Sequence, residues 1–443
     1  ERACMNEIAL NSRLAPDSYL GIAHFTDPEG GPAEPVIVMR RYADEHRLAT
    51  MVKSGQPVED ELRSIAEALA RFHAGAARGA DIDRCATAEA AMGRWQQNLG
   101  ELRGYAGSVV AREAVDEIDR LAIRFISGRG ALFAQRITAR RIVDGHADLL
   151  ADDIFCLPEG PVMLDCLEFD DQLRYVDGID DAAFLAMDLE FLGRKHLGDI
   201  LLDSYTRCAG DDVPKALIDL DIAYRAVVRA KVDCVRYTQG RRESAGDARR
   251  HLDIALDHLR GGAVHLIVVG GGPGTGKTPL AHALAGQLSA QVISPDDVRR
   301  QLHQQGVIHG NAGLLNAGLY TPENVAAVYD AVLARAHRVL SGGQSVILDG
   351  TWRDAHQRGR AYALAEETAS VITEFNCVAP SDEADARIHN RKATTSAATP
   401  EIAAALRTRA GASAQAHHLN TARPLAETVA EAQEIISVRR TSP

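Results

Sequence analysis

Leu266-Ile267-Val268-Val269-Gly270-Gly271-Gly272-Pro273-Gly274-Thr275-Gly276-Lys277-Thr278 is an apolar run that leads directly into a complete G-x-x-x-x-G-K-[ST] pattern over residues 271–278. Glycines in such a loop let backbone N–H groups curl around a polyphosphate. Lys277 reaches its terminal phosphates, and the Thr278 hydroxyl holds Mg²⁺ at a helix N-terminus. The pattern predicts that Gly271, Gly272, Pro273, Gly274, Thr275, Gly276, Lys277 and Thr278 bind a nucleoside triphosphate with Mg²⁺. A glycine-rich turn could match the pattern by chance, but a strand before it and a helix over Leu280–Leu288 after it argue otherwise.

Downstream, apolar runs at 265–269, 291–293, 345–348 and 371–377 alternate with helical patterns, the mark of a parallel sheet wrapped by crossovers. Val292-Ile293-Ser294-Pro295-Asp296-Asp297-Val298-Arg299 puts two carboxylates at the end of the second run, where open α/β sheets hold ligands. Asp296 is placed to take a proton from an attacking hydroxyl, and Arg299 to neutralise an anionic substrate or the transferred phosphoryl group. An Asp helix cap followed by a solvated arginine is the alternative. Ser345-Val346-Ile347-Leu348-Asp349 has the form of a Walker B segment, with Asp349 expected to hold a magnesium-bound water, or else merely to start a turn. Arg387 and Arg391 are four residues apart on one helix face, as a lid over transferring phosphates or a basic solvent-facing helix would have them. Arg358, near the start of the helix after Asp349, is a weaker candidate, with a surface cap or ion pair as the alternative.

From Leu266 to about Arg391 the chain resembles the small-molecule and zeta-toxin-like branch of P-loop kinases, through GGPGTGKT, SPDDVR, VILDGT and ARIHNR. The resemblance implies that Asp296 is the hydroxyl-activating base and that Arg387 and Arg391 form a lid. Pro279 departs from the usual small polar residue after Thr278, and proline is tolerated in a first helical turn.

The first half is mostly helical in pattern. Helices are expected over Ala3–Leu14, Val58–Ala76, continuously over Ala88–Phe125, and through residues 181–260. A β-type run covers Val36–Met39. A hairpin-like region contains Arg141–Val143, Ile154–Leu157, a turn at Pro158–Pro161 and Val162–Leu164. Gly261-Gly262 interrupts the pattern and suggests two domains, 1–261 and 262–443. The expected fold class is thus α/β and α+β.

Asp144-Gly145-His146-Ala147-Asp148-Leu149-Leu150-Ala151-Asp152-Asp153 resembles the catalytic loop of aminoglycoside phosphotransferases and related eukaryotic-like kinases. The resemblance implies a mostly helical C-lobe with a reduced or truncated N-lobe, Asp148 as the base, and Asp153 and Asp165 as metal ligands. Asp153 stands where that family usually has Asn. His146 is expected to support the loop by hydrogen bonds. Glu168, Asp177, Asp180, Asp181 and Asp188 read mainly as helix caps and loop supports, with Arg225, Arg229 and Lys231 as partners. Glu7 matches the helix glutamate that pairs with a strand lysine, yet the first lysine is Lys53. Either the N-terminal strands lie outside this chain, or the domain has lost full ATP handling. Val36–Arg40 would be the hinge strand that meets adenine. The pairing of the two halves resembles a bacterial two-domain family, an aminoglycoside-phosphotransferase-like domain joined to a P-loop ATP-binding kinase domain.

A net charge of -12 from 49 basic and 61 acidic residues disfavours a broad grip on nucleic acid or anionic membrane. Seven scattered cysteines without C-x-x-C spacing suit reduced thiols in the cytoplasm. The function expected is ATP/Mg²⁺-dependent phosphoryl transfer to a hydroxyl of a small-molecule acceptor. The alternative is a pseudokinase-like first domain that senses a metabolite and regulates a P-loop domain acting on a nucleotide, nucleotide sugar or RNA end.

Overall fold

Hydrophobic spacing builds the first unit. Helix Glu59–Gly75 buries Leu62, Ile65, Ala66, Leu69 and Ala70, a single stripe at three- and four-residue intervals. Each fully buried Leu or Ile on it contributes about 1.5–3 kcal/mol. The structure, a computed structural model, describes residues 1–26, 31–311, 317–390, 413 and 415–441. By internal contacts the chain divides into residues 1–126 with 132–262, and residues 127–131 with 263–443.

In the first unit, β1 (Tyr19–Phe25) pairs antiparallel with β2 (Glu34–Met39), β3 (Ile142–Asp144) with β6 (Tyr175–Asp177), and β4 (Ile154–Leu157) with β5 (Gly160–Met163). Helices Gly178–Phe191, Lys195–Ala209, Lys215–Thr238 and Ser244–Gly261 complete it. Gly178–Phe191 is buried on nearly every side, which explains its apolar run Ala182–Met187. The continuous helix expected over 88–125 is instead two, Ala88–Arg103 and Arg112–Ser127. The chain breaks at Gly104–Ala111, where Gly107 takes a left-handed φ of 84°.

The second unit is a five-stranded parallel sheet of β7 (His265–Gly271), β8 (Gln291–Ile293), β9 (Val346–Asp349), β10 (Val371–Val378) and β11 (His417–Asn420). Their spatial order is β11-β10-β7-β9-β8. The fifth strand, His-His-Leu-Asn, was not expected: only Leu419 of its four residues is buried. On one face Ile267, Val269, Ile347, Phe375 and Leu419 pack against Leu280 and Leu284 of helix Lys277–Leu288 and Val429, Ala432 and Ile436 of helix Leu425–Thr441. Val269 pairs with Asp349, and Ile293 with Leu348, so the carboxyl ends of β7, β8 and β9 share one edge. The chain leaves β7 toward β8 and leaves β10 toward β11, in opposite directions, so a crevice lies between β7 and β10 where such sheets bind ligands.

Candidate active site

Backbone geometry shapes the phosphate loop. Gly271, Gly274 and Gly276 have φ of 137°, 78° and 78°, values that glycine adopts without strain. Gly274 also packs so closely that a Cβ there would collide with the Ala384 carbonyl of helix Ser381–His389. Gly276 caps helix Lys277–Leu288, and Pro279 falls in its first turn, where backbone N–H groups have no intrahelical acceptor. The Thr275 hydroxyl and Lys277 Nζ both donate to the Gly272 carbonyl, at 2.8 and 2.6 Å.

The Thr278 hydroxyl donates to Asp349 Oδ2 over 2.6 Å, joining the loop to the end of β9. Burial pushes the Asp349 carboxyl pKa up, the Thr278 hydrogen bond and Lys277 act against this, and Asp296 adds to the rise. Thr278, Asp349 and Asp296 therefore face one small region at the sheet edge. A hydroxyl and a carboxylate so joined fit the hard, oxygen-rich environment that Mg²⁺ takes.

Asp296 lies in the first turn of helix Pro295–Gln304, which is capped by the Ser294 hydroxyl rather than by an aspartate. Arg299 is buried. It donates to Asp296 Oδ1 over 2.5 Å, and its guanidinium lies over the Tyr320 ring at 4.3 Å, so it orients the carboxylate instead of standing free as a solvated cation. Arg387 donates to the Thr421 carbonyl at 2.8 Å and to Glu383 at 3.2 Å. Its Nη1 is 3.6 Å from where a Gly276 Cβ would stand. Arg391 lies outside the described residues. Arg358 is a brace: it donates to the carbonyls of Trp352 and Arg353, each at 2.7 Å, and approaches Glu374 at 3.7 Å.

Thr421 escaped notice in the sequence. Its hydroxyl donates to the Thr275 carbonyl at 2.6 Å, and its backbone N–H to the Val378 carbonyl at 2.9 Å. Its only signal in the sequence is its place after β11, a strand whose composition carries no alternating pattern.

In the first unit, His146 is fully buried. It accepts the Asp148 N–H at Nδ1 and donates from Nε2 to the Leu164 carbonyl, at 3.3 and 3.0 Å, and burial pushes its pKa down. The backbone of this loop is fixed by Asp181, which accepts the N–H groups of His146 and Ala147, each at 2.7 Å. Asp177 caps the helix after β6 and pairs with Arg136. Asp180 pairs with Arg225, and Asp188 accepts the Ala151 N–H. Lys231 meets Glu101 instead of that acidic stretch. Burial raises the Asp148 pKa, with Arg229 and Arg225 opposing. Asp153 is pushed up to about 7 by burial, then by Asp165, Asp148 and Asp152. Asp165 has a left-handed φ of 64°. Among the described residues no group of three or more His, Cys, Asp or Glu is arranged to hold a metal ion, so water or ligand oxygens would have to complete a sphere around Asp153 and Asp165. The Glu7 pKa is raised by burial, then by Glu168 and Asp165. All seven cysteines, each among the described residues, are unpaired. No helix among the described residues is long and apolar enough to cross a membrane.

The AAA_33 family, described as an AAA domain, matches residues 266–413. Among solved structures, a sugar kinase from Janibacter sp. HTCC2649 is 17% identical, with 41% of this chain and 99% of that chain covered and a TM-score of 0.30. The Mycobacterium tuberculosis APS kinase CysC in complex with AMPPNP and APS is 15% identical, covering 39% and 97%, with a TM-score of 0.28. Uncharacterized protein Rv2004c of Mycobacterium tuberculosis (strain H37Rv) is 55% identical over 435 residues, 98% of this chain and 87% of that protein. Uncharacterized protein Mb2027c of Mycobacterium bovis matches to the same extent. The chain, with an AAA-type P-loop domain in its second half, belongs to the family of Rv2004c.

Proposed function

We propose that the second unit is an ATP- and Mg²⁺-dependent phosphotransferase acting on a hydroxyl of a small molecule. The observation that carries this reading is the Thr278–Asp349 hydrogen bond, which closes the phosphate loop onto β9 within the electrostatic reach of Asp296. Loop amides and Lys277 hold the triphosphate. Asp296, oriented by Arg299, takes the acceptor hydroxyl proton as that oxygen bonds to the γ-phosphorus. The bond from the γ-phosphorus to the bridging oxygen breaks, and the electron pair leaves with ADP. Lys277 and Arg387 stabilise the charge that develops. Thr278 and Asp349 are the residues that would hold Mg²⁺, which when bound neutralises charge on the β- and γ-phosphate oxygens.

For the first unit the same reading assigns Asp148 as a base and Asp153 with Asp165 as metal ligands, supported by their mutual electrostatic influence.

The test is a metabolite pool incubated with labelled ATP, with transfer of label followed by mass spectrometry in wild type and Lys277→Ala. Label in a small hydroxylated product, lost in the variant, is the expected result. Unchanged transfer in Lys277→Ala would move the chemistry away from the phosphate loop.

A further inference from the structure

A cavity of about 320 Å³ opens beside the phosphate loop at the crevice between β7 and β10. Its walls include Gly272 of the loop, Trp352 and Arg353 after β9, Glu374 and Asn376 of β10, and Ser381. That volume is at the small end for a ligand site and suits a small metabolite.

Arg353 and Glu374 carry the charge in this lining. Glu374 is satisfied: the Tyr362 hydroxyl donates to it at 3.0 Å, and Arg358 stands 3.7 Å away. Arg353 differs. Its Nη1 is buried and, among the described residues, has no hydrogen-bond partner. Burial pushes its pKa down without an opposing carboxylate. Arg353 as a whole is half-buried, but a guanidinium nitrogen sealed from solvent without an acceptor is costly unless a ligand oxygen completes it.

The position of Arg353 ties the cavity to the acceptor side of the site. Gly350, between Asp349 and Arg353, packs so tightly on Pro295 that a Cβ would come within 3.2 Å of the proline ring, and Pro295 immediately precedes Asp296. One short segment thus runs from Asp349, past Pro295 beside the base, to Arg353. Trp352 is held between these points by its Nε1–H bond to the Leu348 carbonyl, at 3.1 Å, and by edge packing on Tyr329.

We propose that this cavity holds the anionic end of the phosphoryl acceptor, a carboxylate or phosphate ester, and that Arg353 is the residue that selects for it. The acceptor class is then an anionic hydroxylated metabolite. This inference rests on the phosphotransferase reading above. An oxyanion accepts two parallel bonds from a guanidinium, which a neutral polyol cannot reproduce.

The experiment uses the full chain saturated with Mg·AMPPNP and radiolabelled sulfate in equilibrium dialysis, with AMPPNP and ADP affinities measured separately. We expect one sulfate site beyond the nucleotide, weakened about tenfold or more in Arg353→Gln and less in Arg353→Lys, with nucleotide affinities unchanged. Unchanged nucleotide affinity also reports that the variants are folded. Sulfate bound equally by wild type and Arg353→Gln, or by neither, overturns the proposal. So does a loss that falls on AMPPNP but not ADP, which would place Arg353 on the γ-phosphate. If AMPPNP fails to bind the wild type, the phosphotransferase reading falls, while the sulfate comparison still decides the anion site.

Discussion

The Thr421 hydroxyl donates to the Thr275 carbonyl over 2.6 Å, so the loop after β11 clasps the phosphate loop 146 residues away. The same residue offers its carbonyl to Arg387. Thr421→Val keeps the shape and removes the donor. Loss of one buried hydrogen bond costs about 1 kcal/mol, with a further penalty for an unsatisfied carbonyl. We expect the Kd for AMPPNP to rise roughly five- to tenfold by calorimetric titration, with Tm falling only slightly. An unchanged Kd would show that the clasp does not shape the loop.

Gly274→Ala meets two obstacles at once. A left-handed backbone costs a non-glycine residue about 1–2 kcal/mol. The added methyl also collides with the Ala384 carbonyl. The loop or the helix Ser381–His389 has to move, and nucleotide binding is expected to be lost while the circular dichroism spectrum is retained. AMPPNP titration beside thermal unfolding separates this from global unfolding.

Lys277→Ala removes the ammonium that folds back on the Gly272 carbonyl. ATP turnover by the second unit is expected to drop on the order of 10²-fold or more. Asp148→Ala is expected to abolish turnover only for a substrate of the first unit. Steady-state kinetics on both variants decides the matter: an equal loss in both would mean that the two sites are coupled.

Asp153 gives a stability signature with a defined sign. Burial, then the neighbouring acids Asp165, Asp148 and Asp152, push its carboxyl up to about 7, well above the ordinary carboxylate range. The folded state therefore binds more protons than the unfolded state between about pH 4 and pH 7, and stability falls as pH rises through that window. Asp153→Asn should flatten this slope. At pH 8 without divalent metal, the variant is expected to be more stable by about 1–2 kcal/mol, allowing for solvent screening. Urea denaturation at pH 5 and pH 8 measures it, and a wild-type slope unchanged in the variant would exclude Asp153 as the source.

Much of the second unit was legible because its chemistry is local. Glycines at 271, 274 and 276 with positive φ, then Lys277 and Thr278 opening a helix, depend on backbone preferences within a few residues. The apolar strand ending in Asp349 is equally self-contained. Local residue preferences thus suffice for the phosphate loop, four of the five strands and the helical stripe of Glu59–Gly75. Tertiary structure alone decided that His417–Asn420 is a strand, since its hydrogen bonds come from pairing with β10 and its composition carries no alternating signal. It also decided that Arg387 rests on Thr421, and that Arg353 Nη1 lies beside a cavity without a hydrogen-bond partner among the described residues. These contacts join residues whose separation along the chain bears no relation to their separation in space. The order of strands in the sheet fixes which carboxyl ends meet, and that order follows from the packing of both faces as a whole.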